Sequence, residues 1–265
     1  MNRTLFAKEM RSGAFVAVLV STVLALYVVM IASMFDPSLG ESLTLMMQSM
    51  PDLFSAFGMS KPSATLLDFL LNYLYGFLLT AFPLVLVLIL VNKLVVRYLD
   101  RGTMAYLLAT PVSRIRIACT LAGVLVSMLV LLLAVTWMFE VGSSAFLFPG
   151  ELDGMGLLRA NAGLLGLWLS MAGLCFLSAC LFSNASLALW AGGGVCVLSF
   201  LVQMVSQVGD KFEYMKYATP LTLFDAYGLA ANDAQAWIGV AVLYGAAVAL
   251  FATGVAIFSR RDLNI

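Results

Sequence analysis

The run ANAGLLGLWLSMAGLCFLSACLFSNASLALWAGGGVCVLSFLVQMVSQVG fills residues 160–209, between Arg159 and Asp210, and contains 50 residues without one charged side chain. One bilayer crossing needs about 20 apolar residues as a helix. The run is therefore too long for one crossing and fits two crossings with a turn between them. Ser183, Asn184, Ala185 and Ser186 supply that turn, because Ser and Asn favour tight turns and Asn tolerates unusual backbone angles.

The same rule, applied outward, finds four more crossings. Arg11 and Asp36 enclose 24 uncharged residues, Asp68 and Lys93 enclose 24, Arg116 and Glu140 enclose 23, and Asp233 and Arg260 enclose 26. The expected fold is all-α: six transmembrane helices at 14–35, 69–92, 117–139, 160–182, 187–208 and 236–258, in one transmembrane domain over 1–265. The first apolar run is longer than a signal-peptide core and lacks a convincing small-residue cleavage site, so it is expected to stay in the mature chain.

Composition agrees. Of the 265 residues, 63% are hydrophobic and 11% charged, against about half and about a quarter in soluble domains. Mean hydropathy is +1.03. Fourteen basic and fourteen acidic residues leave no cationic excess for nucleic acid. Histidine is absent, which removes the commonest general base and metal ligand. Cys119, Cys175, Cys180 and Cys196 lie in apolar stretches without zinc-site spacing and read as small core residues.

Loop charge sets the orientation. With the N-terminus inside, ten basic residues are cytoplasmic (Arg3, Lys8, Arg11, Lys93, Arg97, Arg101, Arg114, Arg116, Arg260, Arg261) and four lie outside (Lys61, Arg159, Lys211, Lys216). This is the positive-inside pattern, expected of a multi-pass protein of the cytoplasmic membrane with both termini cytoplasmic. In the outer loop 36–68, an apolar pattern broken at Pro51 suggests two short surface helices.

The segment 93–116 is too charged to span. It carries an apolar face at Leu99, Met104, Leu107 and Leu108, ended by Pro111. Such a face on a cytoplasmic helix calls for a partner, lipid or protein. Here the chain resembles the permease subunits of type-2 ABC exporters. Asp100-Arg-Gly-Thr-Met-Ala-Tyr-Leu-Leu-Ala-Thr-Pro-Val-Ser-Arg114 is similar to that family's Glu-x-Gly-Thr-(apolar)-x-x-Leu-Leu-x-x-Pro-(apolar)-x-Arg pattern. Phe6-Ala-Lys-Glu-Met-Arg11 resembles its N-terminal amphipathic elbow helix, and Phe258 to Ile265 its usual C-terminal ending.

The resemblance implies a cytoplasmic coupling helix between spans 2 and 3 that docks on a separate ATPase through Asp100, Arg101, Gly102, Thr103, Tyr106, Leu107, Leu108, Pro111 and Arg114. It also implies two copies of a cytosolic ATPase holding ATP and Mg, a second permease copy, identical or different, and export of an amphiphilic or peptide-like substrate. The chain itself has no Gly-Lys dipeptide and so no phosphate-binding loop of the Gly-Lys-Ser/Thr kind. It is expected to be neither an enzyme nor a cofactor binder, with lipid as its remaining partner.

An ion-coupled secondary transporter is the main alternative, with a non-catalytic membrane scaffold behind it. Ion-coupled transporters keep ionisable groups within the membrane, and the six assigned spans hold no Asp, Glu, Lys, Arg or His. Their polar candidates are Asn72, Thr80, Asn161, Gln203 and Gln207, which can bind a substrate or join helices. Small residues at Ala241, Gly245, Ala249 and Thr253 suggest close helix approach by the last span, and Gly192-Gly193-Gly194 in the fifth suggests the same or flexibility; the face met is that of the same bundle, the favoured reading, or of a partner permease.

Overall fold

A computed structural model of the chain describes residues 2–36, 45, 49–56, 65–96, 113–182, 184–208 and 210–260. Among these residues the regular structure is entirely helical, and six helices are long and apolar enough to cross a membrane. The elements are α1 (Arg3–Ser33), α2 (Pro51–Ala56), α3 (Leu66–Leu70), α4 (Leu78–Val91), α5 (Arg114–Leu147), α6 (Gly154–Leu181), α7 (Ala185–Leu189), α8 (Val195–Ser206), α9 (Ala226–Ala230) and α10 (Ala234–Arg260). Wide π turns continue α3 over Leu71–Tyr75, continue α4 over Asn92–Val96, and join α7 to α8 over Trp190–Gly194.

The six-span expectation holds, and its boundaries need three corrections. First, the stretch compared with an elbow does not separate from the first span. Residues 3–33 form one unbroken helix, because Leu5, Glu9, Gly13, Ala17, Val20 and Leu24 stay on a single buried face. Gly13 allows that face to close on Leu90 and Met128. Asn2 caps the helix, its side chain accepting from the Thr4 and Leu5 N–H groups.

Second, span 2 is not one helix over 69–92. It breaks at Gly76–Phe77, where Phe77 leaves helical geometry at φ −127°. Third, span 3 does not stop before Glu140. α5 runs 34 residues to Leu147, which is about 51 Å at 1.5 Å per residue, and it carries Glu140 into the bundle.

Near the start of α4, Pro83 has no N–H to give to the Leu79 carbonyl one turn back. Trp168 of α6 replaces it, donating from Nε1 to the Leu79 oxygen at 2.6 Å. Of the turn expected at 183–186, Ser183 lies outside the described residues, while Asn184 caps α7 by accepting from the Ser186 and Leu187 N–H groups, so the fifth span starts there. The break expected at Pro51 is present: Ser49 is helical, Met50 is a bend, and Pro51 opens α2, the position where its missing N–H costs nothing.

α6 is the hub of the bundle, packed on α4, α5, α9 and α10, while α1 packs along α5. The helices alternate direction. One end gathers Asn2, Val96, Arg114 and Arg260, and the Asn2 N–H donates there to Thr120 Oγ1 at 3.0 Å while Lys93 Nζ donates to the Ser12 carbonyl. We call this the proximal end. The distal end gathers Phe35, Phe69 and Phe148, whose rings pack together, with the connections 148–153 and 219–233.

Glycines set the closest approaches. A Cβ on Gly192 would sit 2.8 Å from the Cys175 backbone, and one on Gly254 would sit 2.9 Å from the Phe176 ring, so the expected close packing at Gly192 is realised. On α10, however, Ala241, Gly245, Ala249 and Thr253 face outward, with nothing within 4 Å of a Gly245 Cβ. Gly239, Leu243, Ala247 and Gly254 make the bundle contact instead. The cysteines are thiols; Cys175, Cys180 and Cys196 are buried.

Candidate functional site

The site grows from the break in span 2. At Gly76–Phe77 the backbone ladder is interrupted, and irregular backbone at membrane depth persists only against protein or a wet cavity. A pocket of about 280 Å³ lies there, lined by Tyr75, Gly76 and Thr80 of the broken span, Gln203 and Gln207 of the fifth, and Asp225 and Tyr227 of the distal connection. Gln203 is oriented by Thr222, whose hydroxyl donates to Gln203 Oε1 at 2.9 Å. Phe224 stacks on Tyr75 at 6.4 Å between ring centroids. Burial pushes the Tyr227 phenol well above its ordinary pKa, and the carboxylates of Asp68 and Asp225 add to it, so the hydroxyl keeps its proton.

Behind Tyr75 lies a second polar group, sealed from solvent. Glu140 of α5 is 0% exposed, as is Ser144 one turn further on, and Asn161 of α6 is 2% exposed. Glu140 Oε2 accepts from Asn161 Nδ2 at 2.9 Å and from the Tyr75 hydroxyl at 3.2 Å. Asn161 Nδ2 also donates to the Tyr75 oxygen at 2.5 Å. Glu140 Oε1, Ser144 Oγ and Asn161 Oδ1 are buried and make no hydrogen bond. The ion pair Lys8–Glu9 lies near the proximal end. A bare carboxylate in such surroundings costs on the order of several kcal/mol unless it is paired or neutralised.

The bundle has a third feature, a groove of about 1080 Å³ between α1 and α5, lined almost wholly by apolar side chains including Ala17, Ala25, Met30, Met128 and Phe139. It opens sideways, where lipid would stand.

Three of the five polar span residues picked from sequence, Thr80, Gln203 and Gln207, meet in the pocket, and Asn161 lies one hydrogen bond behind it. Asn72 is buried in the π turn beside them. Glu140 was placed by sequence at the end of a span, because a charge was taken to mark a boundary. The absence of ionisable groups from the spans is thereby corrected: the span helix α5 encloses Glu140, and α6 encloses Arg159, which donates to the Ala230 carbonyl at the distal end.

Of the residues expected to dock an ATPase, Asp100, Arg101, Gly102, Thr103, Tyr106, Leu107, Leu108 and Pro111 lie outside the described residues. Arg114 is the first residue of α5. Comparison of the chain with protein-family models, curated proteins and solved structures finds no match.

Proposed function

We propose that the chain is the membrane-spanning subunit of an ATP-driven exporter, moving an amphiphilic or peptide-like substrate across the cytoplasmic membrane. The observation that carries this reading is the sequence Asp100 to Arg114, whose Gly-Thr, Leu-Leu, Pro and Arg positions resemble the coupling element of type-2 ABC permeases. The bundle supports it in two ways. Val96 and Arg114, which flank the connection, emerge at the same end as the N-terminus. The polar pocket at a broken span offers a place for a solute's polar groups, beside lateral apolar surface suited to its hydrocarbon part. ATP and Mg belong to two copies of a cytosolic ATPase, and closure of that pair would drive the spans through the 97–113 connection. A second permease copy completes the path.

The test is recovery of an ATPase with the chain from native membranes in mild detergent. Leu107→Asp with Leu108→Asp should abolish that recovery and leave membrane insertion intact. A wild-type chain that brings down no ATPase would count decisively against the reading.

The burial of Glu140 favours a second reading, an ion-coupled transporter, since carboxyl groups inside transmembrane bundles mark ion and proton paths. Depleting ATP while an ion gradient is maintained separates the two: export stops under the first and continues under the second.

A further inference from the structure

We propose that Glu140, Ser144 and Asn161 form a site within the bundle for one small monovalent cation, H⁺ or Na⁺, which neutralises Glu140. The inference rests on the geometry of the bundle alone and holds whichever energy source drives transport.

Three observations carry it. Glu140 Oε2 is saturated by two donors, Asn161 Nδ2 and the Tyr75 hydroxyl, whereas Oε1 has no donor. Two more buried side-chain oxygens without a hydrogen bond, Ser144 Oγ and Asn161 Oδ1, belong to residues beside it. Ser144 lies four residues along α5, on the same face as Glu140, and Asn161 is hydrogen-bonded to it. An acceptor-rich cluster of this kind offers lone pairs and lacks positive charge. Sodium would complete it by taking all three oxygens as ligands. A proton would complete it by sitting on Oε1 and donating to Ser144 Oγ or Asn161 Oδ1.

Among the described residues no side-chain cation is bonded to Glu140. On the packed helices, Arg159 is turned to the Ala230 carbonyl, Tyr244 donates to the Ala162 carbonyl, and Glu9 pairs with Lys8 near the proximal end. Tyr75 is the titratable group in contact with Glu140, and it is already a donor. Access is short: Tyr75 lines the distal pocket and bonds Glu140 with its hydroxyl, so one side chain separates the site from that pocket.

The test uses the full chain in lipid nanodiscs. Thermal unfolding is followed against NaCl, with choline chloride holding ionic strength constant, and the carboxyl C=O stretch is recorded by infrared spectroscopy. If sodium binds, stability rises with NaCl and saturates, choline has no effect, and Glu140→Gln removes the response. Ser144→Ala then raises the half-saturating NaCl by about tenfold, as expected for one lost ligand of a charged group. If the proton binds, stability ignores NaCl, and a protonated-carboxyl band appears that Glu140→Gln abolishes. Ser144→Ala or Asn161→Leu, which keep Glu140, then shift the band; they serve also if Glu140→Gln does not fold. A chain with neither a sodium response nor a protonated-carboxyl band sensitive to these changes overturns the proposal.

Discussion

At the scale of single residues, the bundle is organised around backbone groups that its own sequence leaves orphaned. Pro83 deprives the Leu79 carbonyl of its partner, and Trp168 supplies one from a neighbouring span. Trp168→Phe keeps most of the ring and removes the donor. It should lower stability by about 1–3 kcal/mol, the cost of a buried polar group left unsatisfied, measured as a lowered unfolding midpoint in detergent. Trp168→Phe at wild-type stability would mean that water already serves Leu79. The same reasoning explains what sequence could and could not show. Thr80, Asn161, Gln203 and Gln207 were legible as candidates because a polar side chain in an apolar run is conspicuous. Glu140 was not, because a rule that ends spans at charges cannot distinguish a boundary acid from one buried at 0% exposure. Its partners are 65 and 21 residues away in the chain, and no local pattern announces them.

At the scale of elements, span number and order were legible from uncharged runs, since bilayer thickness fixes helix length. The break at Gly76–Phe77 was hidden, because hydropathy does not register a lost backbone bond. Faces were equally hidden on α10, where small residues occur all round. The two sets now make opposite predictions. Gly254→Leu drives a side chain into the Phe176 ring and the Leu177 backbone, and should destabilise by about 1–3 kcal/mol, as overpacking does. Gly245→Leu meets open space and should leave the unfolding midpoint of the monomer unchanged. Equal effects of the two would overturn the assignment of faces. The pocket has its own test. Gln207→Cys, in a chain whose four native cysteines are replaced by Ala, should react with a membrane-impermeant thiol reagent added at the distal side, while a cysteine at Leu132, buried in α5, should not.

At the scale of the whole molecule, the chain alternates between two ends, and the cationic residues collect at the proximal one. The orientation proposed from loop charge, with both termini cytoplasmic, predicts that Met104→Cys in the same cysteine-replaced chain is labelled only after the membrane is made permeable. Labelling in sealed cells would invert the molecule and remove the docking surface proposed for residues 100–114. The wide turn at Asn92–Val96 has a consequence for that connection. It stands immediately before residue 97, and a second such turn at Leu71–Tyr75 stands just before the break. A π turn holds one residue more than an α turn needs, so α4 has slack at its proximal end and beyond its distal end. Expelling the spare residue would retract the rod by about 1.5 Å and swivel it by roughly a third of a revolution, with its ladder re-formed. The α4 part of span 2, beyond the break, can therefore be reeled in from the proximal side as a stiff strut, and deleting a single residue from 92–96 should cost less stability than deleting one from the middle of α6.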